Sequence, residues 1–130
     1  MQNDLITLFL ALAAIEVWIF GLIAGHARAR YGVVAPAMTG PPDWERLNRV
    51  HQNSIEQLVV FTPLLLVYAV IVGRETATWL AAAFVVARIV YAVGYARSAQ
   101  GRAAGAALTM IVQGWLALGA LIGFVVRAAR

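Results

Sequence analysis

Cysteine and lysine are both missing from this 130-residue chain, and charge of either sign is scarce. Without cysteine there can be no disulfide, no thiolate metal site and no cysteine nucleophile, so any thiol chemistry has to arrive on a second molecule. Only 12% of the residues are charged and 62% are hydrophobic, which excludes an ordinary soluble domain. The net charge of +4 is carried by arginine alone, with no basic tail and no aromatic-basic run, so no nucleic-acid partner is expected. His26 and His51 have no second histidine or paired carboxylate at ligand spacing, and no metal is expected either.

What is present is long apolar runs. A bilayer core takes about 20 mainly apolar residues per helical crossing, and four such runs can be read, at residues 5–24, 55–72, 76–95 and 104–126. The expected fold is an all-α integral membrane protein, a four-transmembrane-helix bundle forming one domain over residues 1–130. No basic stretch precedes the first run, where Asp4 is the only formal charge, so that run is expected to be retained rather than cleaved. Arg28, Arg30, Arg46, Arg49, Arg97 and Arg102 fall on one side of the membrane and Arg74, Arg127 and Arg130 on the other. The positive-inside tendency puts the first group in the cytoplasm, which for a bacterial chain means a multi-pass protein of the inner membrane.

Residues 31–42 carry Gly32, Pro36, Gly40, Pro41 and Pro42 and read as a loop. Asp43 suits an N-cap, so helix 2 is expected to start near Trp44, outside the bilayer, and to kink at Pro63. Trp44 is expected at the headgroup level. Trp18, Trp79 and Trp115 read as packing or interface anchors, and Gln113 as an interhelical hydrogen-bonding residue.

Polar residues then fall in two stripes. On helix 2, Arg49, Asn53 and Glu56 stand at i, i+4 and i+7, flanked by His51, Gln52 and Gln57. On helix 3, Arg88, Tyr91 and Tyr95 stand at i, i+3 and i+7, with Arg102 near the same face if that helix continues far enough. A polar face in hydrocarbon is costly unless it meets polar partners or water. With Arg28, Arg30 and Arg102 at the rim, the two stripes describe a cationic pocket for a small, anionic, peptide-like ligand, because guanidinium forks bind carboxylates in pairs of hydrogen bonds. The alternative from the same residues is that the stripes satisfy one another or bind lipid headgroups.

The run Glu45-Arg46-Leu47-Asn48-Arg49-Val50-His51-Gln52-Asn53-Ser54-Ile55-Glu56 resembles the E-R-x-x-R-x-x-x-N-x-x-E motif of the MAPEG family, the membrane-associated proteins in eicosanoid and glutathione metabolism. Residues 87–102 are similar to the helix 3 end of its leukotriene-forming glutathione transferases, as is Thr39-Gly40-Pro41-Pro42 before helix 2. The resemblance implies a homotrimer with glutathione as co-substrate between subunits, and a lipophilic electrophile as acceptor. Residue by residue, it implies that Arg28, Arg49, Asn53, Glu56, Tyr91 and Tyr95 hold glutathione, with His51 and Gln57 at further contacts. It makes Arg102 the arginine that stabilises the thiolate. Two departures stand out. Ala29 occupies the place of a second arginine, for which Arg30 can substitute, and Gln57 stands where those enzymes carry tyrosine.

Two other readings remain. Glu16, a lone acid in the first span, also resembles the proton-coupling glutamate of small multidrug-resistance transporters. A structural ion pair between Glu16 and Arg88, at similar depth, accounts for both buried charges without transport. A non-catalytic scaffold that binds lipid or a partner would use the same four helices.

Overall fold

The computed structural model describes residues 2–130, with side chains from Asp4 onward. It consists of α1 (Gln2–Arg30), α2 (Pro42–Ile71), α3 (Arg74–Arg97) and α4 (Arg102–Ala128). All four helices are long and apolar enough to cross a membrane, as expected for an integral, multi-pass protein. Each extends past the apolar run that revealed it, because the polar residues at its ends are good helix formers lying outside the hydrocarbon.

The long connection between α1 and α2 is tied down rather than loose. Gly32 takes φ +66, which turns the chain off the end of α1. Arg28 Nη1 donates to the carbonyl of Ala37 at 2.8 Å, and Gly40 N–H donates to the Glu45 carboxylate at 2.8 Å. Helix α2 starts at Pro42 with Pro41 in the capping position, not at an Asp43 cap. Proline suits the first turn because its missing N–H would have no partner there, and this releases Asp43 to pair with Arg46. Trp44 is 0% exposed, with the Arg28 guanidinium 4.8 Å from its ring centroid and Gly40 of the loop against its ring.

The other two connections are tight. Gly73 N–H and Val72 N–H both donate to the carbonyl of Tyr68, and α3 begins at the next residue. Between α3 and α4, Ser98 Oγ accepts from Gly101 N–H at 3.0 Å, closing a turn of four residues. Helix α1 packs on α2 and α3 and has no contact with α4 among the described residues, so α1 and α4 lie on opposite flanks of the α2/α3 pair.

Lipid tails are as apolar as leucine, so burial of apolar area drives little helix association here, and close packing must do it instead. The core reflects this. Ala13, Ala77 and Ala81 let backbones approach around Phe61, Leu65, Phe84 and Leu116. The Phe61 and Phe84 rings stack with centroids 3.7 Å apart. Gln113 Nε2 donates to the carbonyl of Gln57 at 3.0 Å, an interhelical bond from α4 to α2. The outside is apolar: Trp18, Trp79 and Trp115 are 65%, 71% and 60% exposed, so none of them packs inside the bundle.

Candidate functional site

Toward the end of the bundle where α3 turns into α4, the apolar core gives way to polar side chains. Arg88, only 2% exposed, lies at the centre. Its Nη2 donates to Asn53 Oδ1 at 3.0 Å and to Ser54 Oγ at 2.9 Å, and its Nη1 reaches Thr109 Oγ1 at 3.4 Å. The Asn53 amide in turn donates to the Glu56 carboxylate at 3.4 Å. An asparagine offers both an acceptor and a donor, so it links a buried cation to an acid at the rim.

A column of rings and cations stands beside this chain. The Arg88 guanidinium carbon is 4.2 Å from the Tyr91 ring centroid, and Tyr91 meets Tyr95 edge-on at 5.6 Å. The Arg102 guanidinium carbon lies 5.3 Å from the Tyr95 ring. Each such cation–π contact contributes ~0.5–2 kcal/mol, more where water is excluded. Tyr91 and Tyr95 share a face because they are one turn apart on α3. Arg102 reaches them by a different route from the one expected. Helix α3 ends at Arg97, and Arg102 is the first residue of α4, folded back by the Ser98–Gly101 turn.

Gly105 makes that return possible. A Cβ there would run into the backbone of Tyr91, so only glycine lets α4 press this closely on α3. Arg102 at the start of a helix is locally unfavourable, since the positive end of the helix dipole already lies there, at a cost of ~0.3–1 kcal/mol. Two positive features therefore coincide at the mouth of the site, and departures of this kind tend to mark function.

Asn53, Gln57, Arg88, Tyr91, Arg102, Ala106, Thr109 and Met110 enclose a cavity of about 330 Å³ between α2, α3 and α4. This is at the small end of the ~300–1,000 Å³ common for ligand pockets. Of the residues singled out in the sequence, Asn53, Gln57, Tyr91 and Arg102 come together here. Tyr95 borders the site through its ring contacts, and Glu56 through Asn53. Arg49 is exposed and lines a separate hollow of about 250 Å³ with Met38, Thr39, Glu45, Asn48 and Gln52.

Three residues lie elsewhere. His51 faces α1, with Nδ1 3.2 Å from the carbonyl of Val17. Arg28 is held by Ala37 and Trp44, and Arg30 lies over its neighbour Tyr31 at 6.0 Å. The expected ion pair between Glu16 and Arg88 is not formed: both Glu16 carboxylate oxygens are buried without a hydrogen-bond partner, and Arg88 turns its Nη nitrogens to α2 and α4. Thr109, Ser54 and Met110 were not foreseen. Thr109 follows Arg102 by seven residues, two turns, and that spacing was the available signal.

The MAPEG family pattern matches residues 6–122. An uncharacterized protein of the cyanobacterium Synechocystis is 40% identical over 115 residues, 88% of this chain and 84% of its own length. Human microsomal glutathione S-transferase 2 is 35% identical over 112 residues, covering 86% of this chain and 74% of the relative. Leukotriene C4 synthase of the guinea pig, Cavia porcellus, is 34% identical over 115 residues, covering 85% and 77%. A pattern that spans all four helices, with relatives at these identities along most of their length, means that the chain belongs to the MAPEG family.

Proposed function

We propose that this protein is a membrane-bound glutathione transferase, which holds glutathione at the Arg88–Arg102 cavity, stabilises its thiolate and conjugates it to a lipophilic electrophile. The observation that carries the reading is the cavity itself. Two guanidinium groups, the Tyr91 phenol and an asparagine line one small space, with the Tyr95 ring beside Arg102, at the end of a bundle that is otherwise apolar. Such a concentration of cations in a membrane protein is costly unless an anionic ligand uses it. Glutathione brings two carboxylates, and relatives named for glutathione transfer and leukotriene synthesis align with this chain.

In the proposed reaction the thiol approaches Arg102. A free thiol near pKa ~8.5 is mostly protonated at neutral pH, and an adjacent fixed cation raises the thiolate fraction. Arginine keeps its proton, so Arg102 acts by its field and the thiol proton leaves to solvent at the cavity mouth. The sulfur then attacks the electrophile, which arrives from the lipid. Met110, exposed on α4, lines the cavity and suits that approach.

What one protomer lacks supports a homotrimer. Arg28, Arg30 and His51 belong to the α1 flank, while the cavity is lined by α2, α3 and α4, and α1 and α4 do not touch. In the proposed homotrimer these residues serve the cavity of a neighbouring subunit, with Arg49, Glu56 and Tyr95 at the seam. The seam faces the cytoplasm by the arginine count.

The test uses purified protein in detergent with glutathione and a chlorodinitrobenzene-type electrophile. Native protein is expected to bind glutathione and turn over, and Arg102→Ala to keep binding while losing the ultraviolet absorbance of the bound thiolate. Loss of binding with an unchanged thiol pKa would reject the role of Arg102. Binding without turnover in the native protein would make it a glutathione-binding scaffold.

A further inference from the structure

Among the described residues, the buried side-chain atoms that lack a hydrogen-bond partner are Trp44 Nε1 and Arg46 Nε in the first turns of α2 and, in mid-helix, Glu16 Oε1, Glu16 Oε2 and Arg88 Nε. The mid-helix three are complementary: two acceptors and one donor. They also belong to neighbours: Val17, the residue after Glu16, meets His51 on α2, one turn from the Ser54 that Arg88 holds. Arg88 sends Nη1 and Nη2 across to α2 and α4, which form the cavity wall, and Nε is left over. Helix α1, which carries Glu16, packs on α3 from the opposite flank.

A buried carboxylate or N–H left without a partner is costly, so these atoms call for one. No direct hydrogen bond joins them, and a buried water needs only two to four polar partners. A water between them would accept from Nε–H and donate to the carboxylate, satisfying all three atoms.

We propose that Glu16 is a positioning residue for the cavity: through buried water it holds the Nε edge of Arg88, and so keeps the two Nη nitrogens turned to Asn53, Ser54 and Thr109. Glu16 touches no ligand. It fixes the rotation of a guanidinium that does line the cavity. The Arg88 contact stands independently of what the cavity binds, whereas its effect on glutathione rests on the reading above.

The experiment has two arms on the full-length protein in detergent. In the first, protein labelled with ¹⁵N-arginine is studied by NMR, and the Nε–H signal of Arg88 is assigned by its disappearance in Arg88→Lys. In native protein this signal is expected to exchange slowly with solvent. Glu16→Leu should shift it and speed its exchange by about tenfold, the equivalent of one charged hydrogen bond, and Glu16→Gln, which keeps an acceptor for the water, should restore slow exchange. An Arg88 signal that is unmoved in Glu16→Leu overturns the proposal. Should Glu16→Leu fail to fold, Glu16→Asp, one methylene shorter, is read in the same way: faster exchange supports the proposal, and an unchanged signal overturns it.

The second arm measures conjugation. Glu16→Leu is expected to raise KM for glutathione by about tenfold with kcat nearly unchanged, and Glu16→Gln to recover most of it. A fall in kcat alone, or no rescue by glutamine, overturns the positioning role. If native protein binds no glutathione, the functional reading falls and the NMR arm still decides the Glu16 contact.

Discussion

Replacing Arg88 with methionine swaps the buried guanidinium for an uncharged chain of similar length. Two of its hydrogen bonds, at 3.0 Å to Asn53 and 2.9 Å to Ser54, come from a charged donor and contribute ~1.5–3 kcal/mol each. The third, at 3.4 Å to Thr109, is long enough to count for little. Ser54 and Thr109 are not orphaned by the change, because their hydroxyls donate to the carbonyls of Val50 and Gly105. Asn53 Oδ1 loses its partner but lines the cavity, where water can replace it. Against the ~3–6 kcal/mol lost stands the relief of desolvating a charge, itself several kcal/mol for so buried a group. Glu16 also loses the cation it faces and takes up a proton, and the remaining terms nearly cancel. Unfolding of Arg88→Met in detergent is therefore expected within ~2 kcal/mol of native. Glutathione affinity, measured by titration calorimetry, is expected to fall by about 10- to 100-fold, since the ligand loses a charged hydrogen-bonding partner. A loss of stability above ~4 kcal/mol with unchanged glutathione affinity would refute this reasoning and make Arg88 a purely structural tie.

Gly105→Ala puts a methyl group into the Tyr91 backbone and should cost ~1–3 kcal/mol by pushing α4 away from α3. Thermal unfolding reads the loss of stability, and a weaker ultraviolet absorbance of the bound thiolate reads the displaced Arg102. Trp44→Ala empties a fully buried site beneath the loop of residues 31–41 and should destabilise by ~3–5 kcal/mol. Faster proteolysis of that loop than of the helices is the accompanying sign, and equal rates would deny that Trp44 anchors it. Gln113→Leu removes the bond to the Gln57 carbonyl, and denaturant unfolding in detergent should report a loss of ~0.6–2 kcal/mol. The chemistry of the cavity should be unaffected by that change.

Much of the site could be read from spacing. Asn53 and Glu56 share a face of α2, and Tyr91 and Tyr95 a face of α3, because helical periodicity alone brings them together. Arg102 could be expected near them, but not by its actual path, since Ser98 and Gly101 stop one helix and start the next. Residue number, at 1.5 Å per residue along a span, puts Glu16 and Arg88 at comparable depth. Their lack of a direct bond was not legible. It depends on how α1 and α3 are rotated about their axes, and Arg88 found better-placed partners on α2 and α4.

Composition and periodicity were enough for the membrane, the four helices and the polar stripes, since each of these is a property of one segment and its solvent. Which stripe faces which neighbour is a property of pairs of segments. It was settled by contacts remote in sequence: Gly105 against Tyr91, Arg88 against Asn53, and α1 kept from α4 by the pair between them. Those contacts put Arg88 and Arg102 at the cavity and leave Arg28 on the α1 flank. No single helix carries that information, because rotating it about its own axis changes its partners without changing its sequence.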